Sequence, residues 1–139
     1  MMLVFGLTAY AFWPSLQNAF VQWDDPLNFT DNPHYRGLGW PQLKWMFTSF
    51  HTGPYIPLTW ISLAIDYLVW GLNPTGYHLT SLLLHAGNAV LVYRIAKRLI
   101  DIAATRDADL PRGFHVGAVF SALFFSVHPL RVESVVWAT

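Results

Sequence analysis

The chain has 139 residues, 54% of them hydrophobic and only 12% charged, about half the charged share of a typical soluble domain, with eight acidic residues balancing eight basic ones. That balance leaves no basic field of the kind that holds nucleic acid, and the lack of cysteine excludes disulfides and thiolate metal sites. Aromatic residues make up 17%, including seven Trp and six Tyr, the residues that favour a membrane–water boundary.

Met1 to Phe20 carries no charged side chain. A helix rises about 1.5 Å per residue and a hydrocarbon core is about 30 Å thick, so about 20 residues just cross it. A span is expected over 1–20, with Pro14 near its far end. The competing reading is a signal peptide cleaved after Ala9-Tyr10-Ala11. No basic stretch precedes the apolar run, however, and that cleavage leaves too short an apolar segment. The same lack of Lys or Arg points to a missing stretch ahead of Met1.

Residues 21–56 change character, with Asp24, Asp25, Asp31, Arg36 and Lys44 set among prolines and aromatics. Asn32-Pro33 and Gly53-Pro54 are breakers, and 41–50 is expected as a short helix opening on Pro41. Residues 57–72 are apolar but short for a span, and Asp66 stands in their middle. A charge at the bilayer centre costs at least a few kcal/mol, so a helix lying along the interface is expected in preference to a crossing.

A second span is expected over 77–99, closing on Arg94, Lys97 and Arg98, and a third over 113–128, ended by Pro129. The stretch 94–112 holds five of the eight Lys and Arg, whereas the longer 21–76 holds two. The positive-inside rule therefore makes 100–112 a cytoplasmic loop. The outer loop 21–76 and the segment from His128 onward then face the other side. The expected fold is an all-α polytopic membrane protein of about three transmembrane helices, with an interfacial helix in the first outer loop.

Three polar clusters can carry chemistry. Adjacent carboxylates such as Asp24 and Asp25 cannot both ionise freely without a cation, a basic partner or water, although Asp before Pro is also ordinary turn chemistry. His78, Ser81, His85 and Asn88 fall within roughly 80° of one another on a helix. Facing lipid is costly for them, so the stripe is expected to face a bundle interior, with Ala86, Gly87 and Ala89 permitting close helix approach. Asn88 reads best as helix–helix bonding and His78 as the better site candidate. In the third cluster, Arg131 can pair with Glu133 or bind a lipid phosphate, and spacing alone leaves both open. The chain has neither a phosphate-binding glycine loop nor an H-E-x-x-H zinc pattern.

Three ordered strings add a resemblance. They are Asn18-Ala19-Phe20 through Trp23-Asp24-Asp25 to Asn32-Pro33; Pro57-Leu58-Thr59 through Asp66-Tyr67 and Trp70-Gly71-Leu72-Asn73-Pro74 to His78-Leu79-Thr80; and His128-Pro129 through Val132-Glu133-Ser134. Together they resemble the membrane part of the transmembrane-and-tetratricopeptide-repeat proteins, an O-mannosyltransferase-like branch of the GT-C glycosyltransferases. The resemblance implies an enzyme of the bacterial inner membrane or endoplasmic reticulum. Such an enzyme moves mannose from a polyprenyl-phosphate donor to a hydroxyl of an acceptor protein on the non-cytoplasmic side. It implies Asp24 as the base, Asp25 in support, and His128, Arg131 and Glu133 lining the pocket near the donor phosphate; His78, from its place at the outer end of the polar stripe, is a further binding candidate. No metal ligands are implied, and whether a divalent metal takes part is left open. Family members carry many more helices and a repeat array that 1–139 lacks, so 1–139 is expected to be an N-terminal fragment, inactive alone. The alternatives are a non-catalytic membrane assembly or transporter module, in which the polar stripe only packs helices, and a protein complete at this length that binds a partner helix.

Overall fold

A computed structural model describes residues 1–106 and 114–138. Asp107, Asp109 and Arg112 of the expected cytoplasmic loop lie outside them. Every regular element among the described residues is helical: α1 (Met2–Phe12), a 3-10 turn (Trp13–Gln17), a π turn (Pro26–Thr30), α2 (Trp40–Thr48), α3 (Pro57–Trp70), α4 (Pro74–Arg106), α5 (Phe114–Val127), a second 3-10 turn (Pro129–Arg131) and α6 (Val132–Val136).

One of these helices, over Pro74–Ala104, is long and apolar enough to cross a membrane. A second qualifies if α5 and the segment after it, bent by 56° at the break before Pro129, count as one broken span. Only 22% of the apolar window in α4 is buried: Leu82 is enclosed, but Leu83, Leu84, Leu91 and Leu99 are exposed, unlike the leucines of a core helix in a soluble protein. At 11 residues α1 is shorter than the length a crossing takes. Pro14 hands it over to the tighter 3-10 turn, and the Ser15 hydroxyl donates to the freed Phe12 carbonyl at 2.7 Å.

The chain divides into two compact bodies: Met1–Ser15 with Ser81–Val136, and Leu16–Thr80 with the residues from Trp137 on. In the first, Ala86 and Ala89 of α4 and Ala118 and Ala122 of α5 are all fully buried, with Val4 of α1. Such small side chains let helix backbones approach closely. The Thr8 and Ser126 hydroxyls, both buried, lie 2.9 Å apart and tie α1 to α5.

The second body is held by aromatic rings. Phe29, Tyr35, Met46, Trp60 and Tyr77 are fully or almost fully buried, with Phe20, Trp45 and Tyr67 packed against them. Two phenols run in series: Tyr35 Oη and Tyr77 Oη are 3.0 Å apart, and Tyr77 donates to the Gly71 carbonyl at 2.9 Å. Arg36 donates to the Phe29 and Thr30 carbonyls at 3.1 and 2.8 Å, closing the π turn where a helix end leaves carbonyls unmatched.

The corner between α3 and α4 explains the Trp70–Pro74 string. Gly71 adopts φ +62°, the left-handed region that favours glycine, and so stops α3. Asn73 then accepts from Thr75 N through its side chain at 3.2 Å, with Pro74 at the first position of α4. Below the turn, Thr80 donates to Asp66 Oδ1 at 2.5 Å. Asp66 is thereby turned into the protein and hydrogen-bonded, which lets α3 carry a carboxyl in an otherwise apolar run.

Candidate functional site

The acidic pair splits into two environments. Asp25 is 3% exposed, and its Oδ2 accepts from Val21 N at 2.6 Å, folding residues 21–25 into a tight turn. Asp24 projects into the open, while its carbonyl accepts from Asn28 N at 3.0 Å and starts the π turn. A buried, amide-held carboxylate thus stands beside a free one, the division that separates a fixed structural charge from a group able to meet a substrate. His78 is buried in the same body. Its ring lies beside the backbone of Asn18, and Asp25 is the carboxylate whose field reaches it.

The first body carries a polar cleft of about 230 Å³, lined by Ser81, His85, Asn88, Phe125, Arg131 and Ser134 among others. Arg131 does not pair with Glu133: among the described residues the ion pair present is Lys97–Asp101. Its guanidinium instead lies 4.7 Å from the centre of the Phe125 ring, which leaves its N–H groups free for an anion. His85 Nε2 is 2.9 Å from the Ser126 carbonyl and must donate to it, and the ring stacks on Phe125 and meets Phe12 edge-on. His128 accepts from Leu130 N at 3.3 Å and starts the turn that brings Arg131 round, while Glu133 is exposed in the first turn of α6.

Of the residues singled out in the sequence, Asp24, Asp25 and His78 belong to the second body, and His128, Arg131 and Glu133 to the first. Ser81, His85 and Asn88 join Arg131 in one cleft. Helical spacing groups those three on a face, but only the break at Pro129 brings Arg131 to them, so spacing reads them as packing residues. Asn88 is exposed, not turned inward. A Cβ placed on Gly87 meets nothing within 4 Å among the described residues, so none of their helices packs closely against it. Among the described residues no three His, Asp or Glu side chains converge as a metal ligand set.

No family model matches the chain, and no solved structure matches it. Among curated proteins it is similar to the human protein O-mannosyl-transferase TMTC3, 27% identical over 143 residues, covering 96% of this chain and 14% of that protein. It is 30% identical over 145 residues to human TMTC1, covering 96% of this chain and 15% of that protein. Over 89 residues, 58% of this chain and 10% of the relative, it is 34% identical to Tmtc3 of Drosophila melanogaster. The chain thus spans about one seventh of the length of the two human relatives. It is a homologue of the TMTC family of protein O-mannosyl-transferases, matching a small part of their length.

Proposed function

We propose that the chain forms part of the membrane domain of a glycosyltransferase that moves mannose from a polyprenyl-phosphate donor to a hydroxyl of an acceptor protein. The observation that carries this reading is the exposed Asp24 beside the buried, amide-held Asp25, in a chain whose homologues are protein O-mannosyl-transferases. In the transfer, the acceptor oxygen attacks the sugar's anomeric carbon, the bond from that carbon to the donor phosphate oxygen breaks, and the acceptor's proton goes to a base. Asp24 is that base, and Asp25 fixes the turn that presents it. In the other body, Arg131, backed by the Phe125 ring, offers its N–H groups to a phosphate. His128 sets the turn that aims Arg131, and Glu133 borders it.

On this reading the membrane arrangement has three spans: α1, too short to cross by itself but lengthened by its 3-10 extension, α4, and α5 with the bent segment after it. α3 lies along the interface, and 21–76 faces the non-cytoplasmic side of an endoplasmic reticulum or bacterial inner membrane. The chain spans about one seventh of the length of its human relatives and on this reading supplies part of the site.

The test is Asp24→Asn in a longer protein that carries this stretch, reconstituted with polyprenyl-phosphate mannose and an acceptor. Removing a general base lowers turnover by about a hundredfold or more, and protein yield and donor binding should stay unchanged. Undiminished transfer would refute the assignment and favour a non-catalytic module.

A further inference from the structure

We propose that the end of α4 carrying Arg94 and Arg98 binds an anionic phospholipid, at a place separate from the cleft around Arg131. A groove of about 680 Å³ runs there, lined by Leu91, Arg94, Ile95, Arg98 and Leu99 with Lys97 and Asp101 beside them. At 100° per residue the first five fall within an arc of about 140°. All five are exposed, Leu91 at 53%, Ile95 at 61% and Leu99 at 62%. One row on this face is therefore apolar, and the row next to it carries two guanidinium groups a helical turn apart.

The charges on this face are not balanced from within. Lys97 is taken by Asp101 at 2.8 Å, whereas Arg94 and Arg98 have no acidic partner among the described residues. Like charges one turn apart repel, and a phosphate between them removes the repulsion while filling both planar donor sets. The neighbouring leucine and isoleucine row matches an acyl chain. A soluble anion would leave that row in water, and an apolar partner helix would leave the guanidinium groups without a counter-charge. A lipid with a net negative headgroup satisfies both rows, and basic residues beside a membrane helix attract such lipids.

This site rests on the membrane reading given above, and the experiment separates the two. The purified chain is inserted into vesicles of equal phosphatidylglycerol and phosphatidylcholine, washed with alkaline carbonate, and its retained lipids are counted by native mass spectrometry. The wild type should stay inserted and retain phosphatidylglycerol about tenfold over phosphatidylcholine. The double variant Arg94→Gln/Arg98→Gln should stay inserted and lose the preference, whereas Lys97→Gln should keep it. An inserted wild type without preference, a double variant that keeps it, or displacement of the lipid by millimolar glycerol phosphate overturns the lipid site. Release of the wild type by carbonate overturns the membrane reading itself.

Discussion

Two glycines of α4 show how much a single hydrogen in place of a methyl can matter. A Cβ on Gly76 would fall inside the Trp70 ring, whereas one on Gly87 would meet open space. Gly76→Ala must push the indole off the corner and should cost about 1–3 kcal/mol. Gly87→Ala removes a flexible residue from a helix interior and should be neutral or stabilising by up to about 1 kcal/mol. Thermal unfolding in detergent micelles compares the two directly, and equal losses would contradict the placement of Trp70.

Asp66 gives a pH signature. Burial pushes its carboxyl above the usual range, and the hydroxyl of Thr80 pulls back against that. A raised folded value means that the folded chain holds the proton more tightly than the unfolded one. Its favourable contribution is therefore complete below the unfolded value of about 3.9 and is lost as pH rises through the folded value. Asp66→Asn should flatten this fall in unfolding titrations above the unfolded value, and Thr80→Val should extend it to higher pH. An unchanged slope in Asp66→Asn would contradict the burial of this carboxyl.

At the scale of elements, the sequence is most readable where local chemistry decides. The short helix with Pro41 in its first turn, the apolar helix ending at Gly71 and the break at Pro129 all follow from residues with one strong backbone preference. α2 runs Trp40–Thr48 where 41–50 was expected, and α3 stops at Trp70. α4 extends well past residue 99, because Ile100, Ala103 and Ala104 continue the helix beyond the last apolar turn. Other features were hidden because they depend on distant residues. The different burial of Asp24 and Asp25 depends on Val21 N, and the inward turn of Asp66 on Thr80, fourteen positions along the chain. The polar stripe on α4 follows its helical spacing, but the exposed Asn88 shows that one face of a helix can be part core and part cleft.

For the molecule as a whole, composition speaks more strongly than any element. A chain with 12% charged residues exposes leucine, isoleucine and phenylalanine along α4 and α5, with Phe120 69% and Phe124 59% open. Patches of that kind mark contact with lipid or with other helices. The proposed chemistry depends on which side of the bilayer receives the acidic loop, since Asp24 can serve a protein acceptor only where acceptor hydroxyls are. The chain has no cysteine, so single cysteines report without background. The decisive measurement labels Gln22→Cys and Ala104→Cys with a membrane-impermeant maleimide in sealed vesicles of known orientation. Gln22→Cys should react from the non-cytoplasmic face and Ala104→Cys only after permeabilisation. Labelling of both from one face, or the reverse order, would contradict the outward placement of the acidic loop and the transferase role built on it.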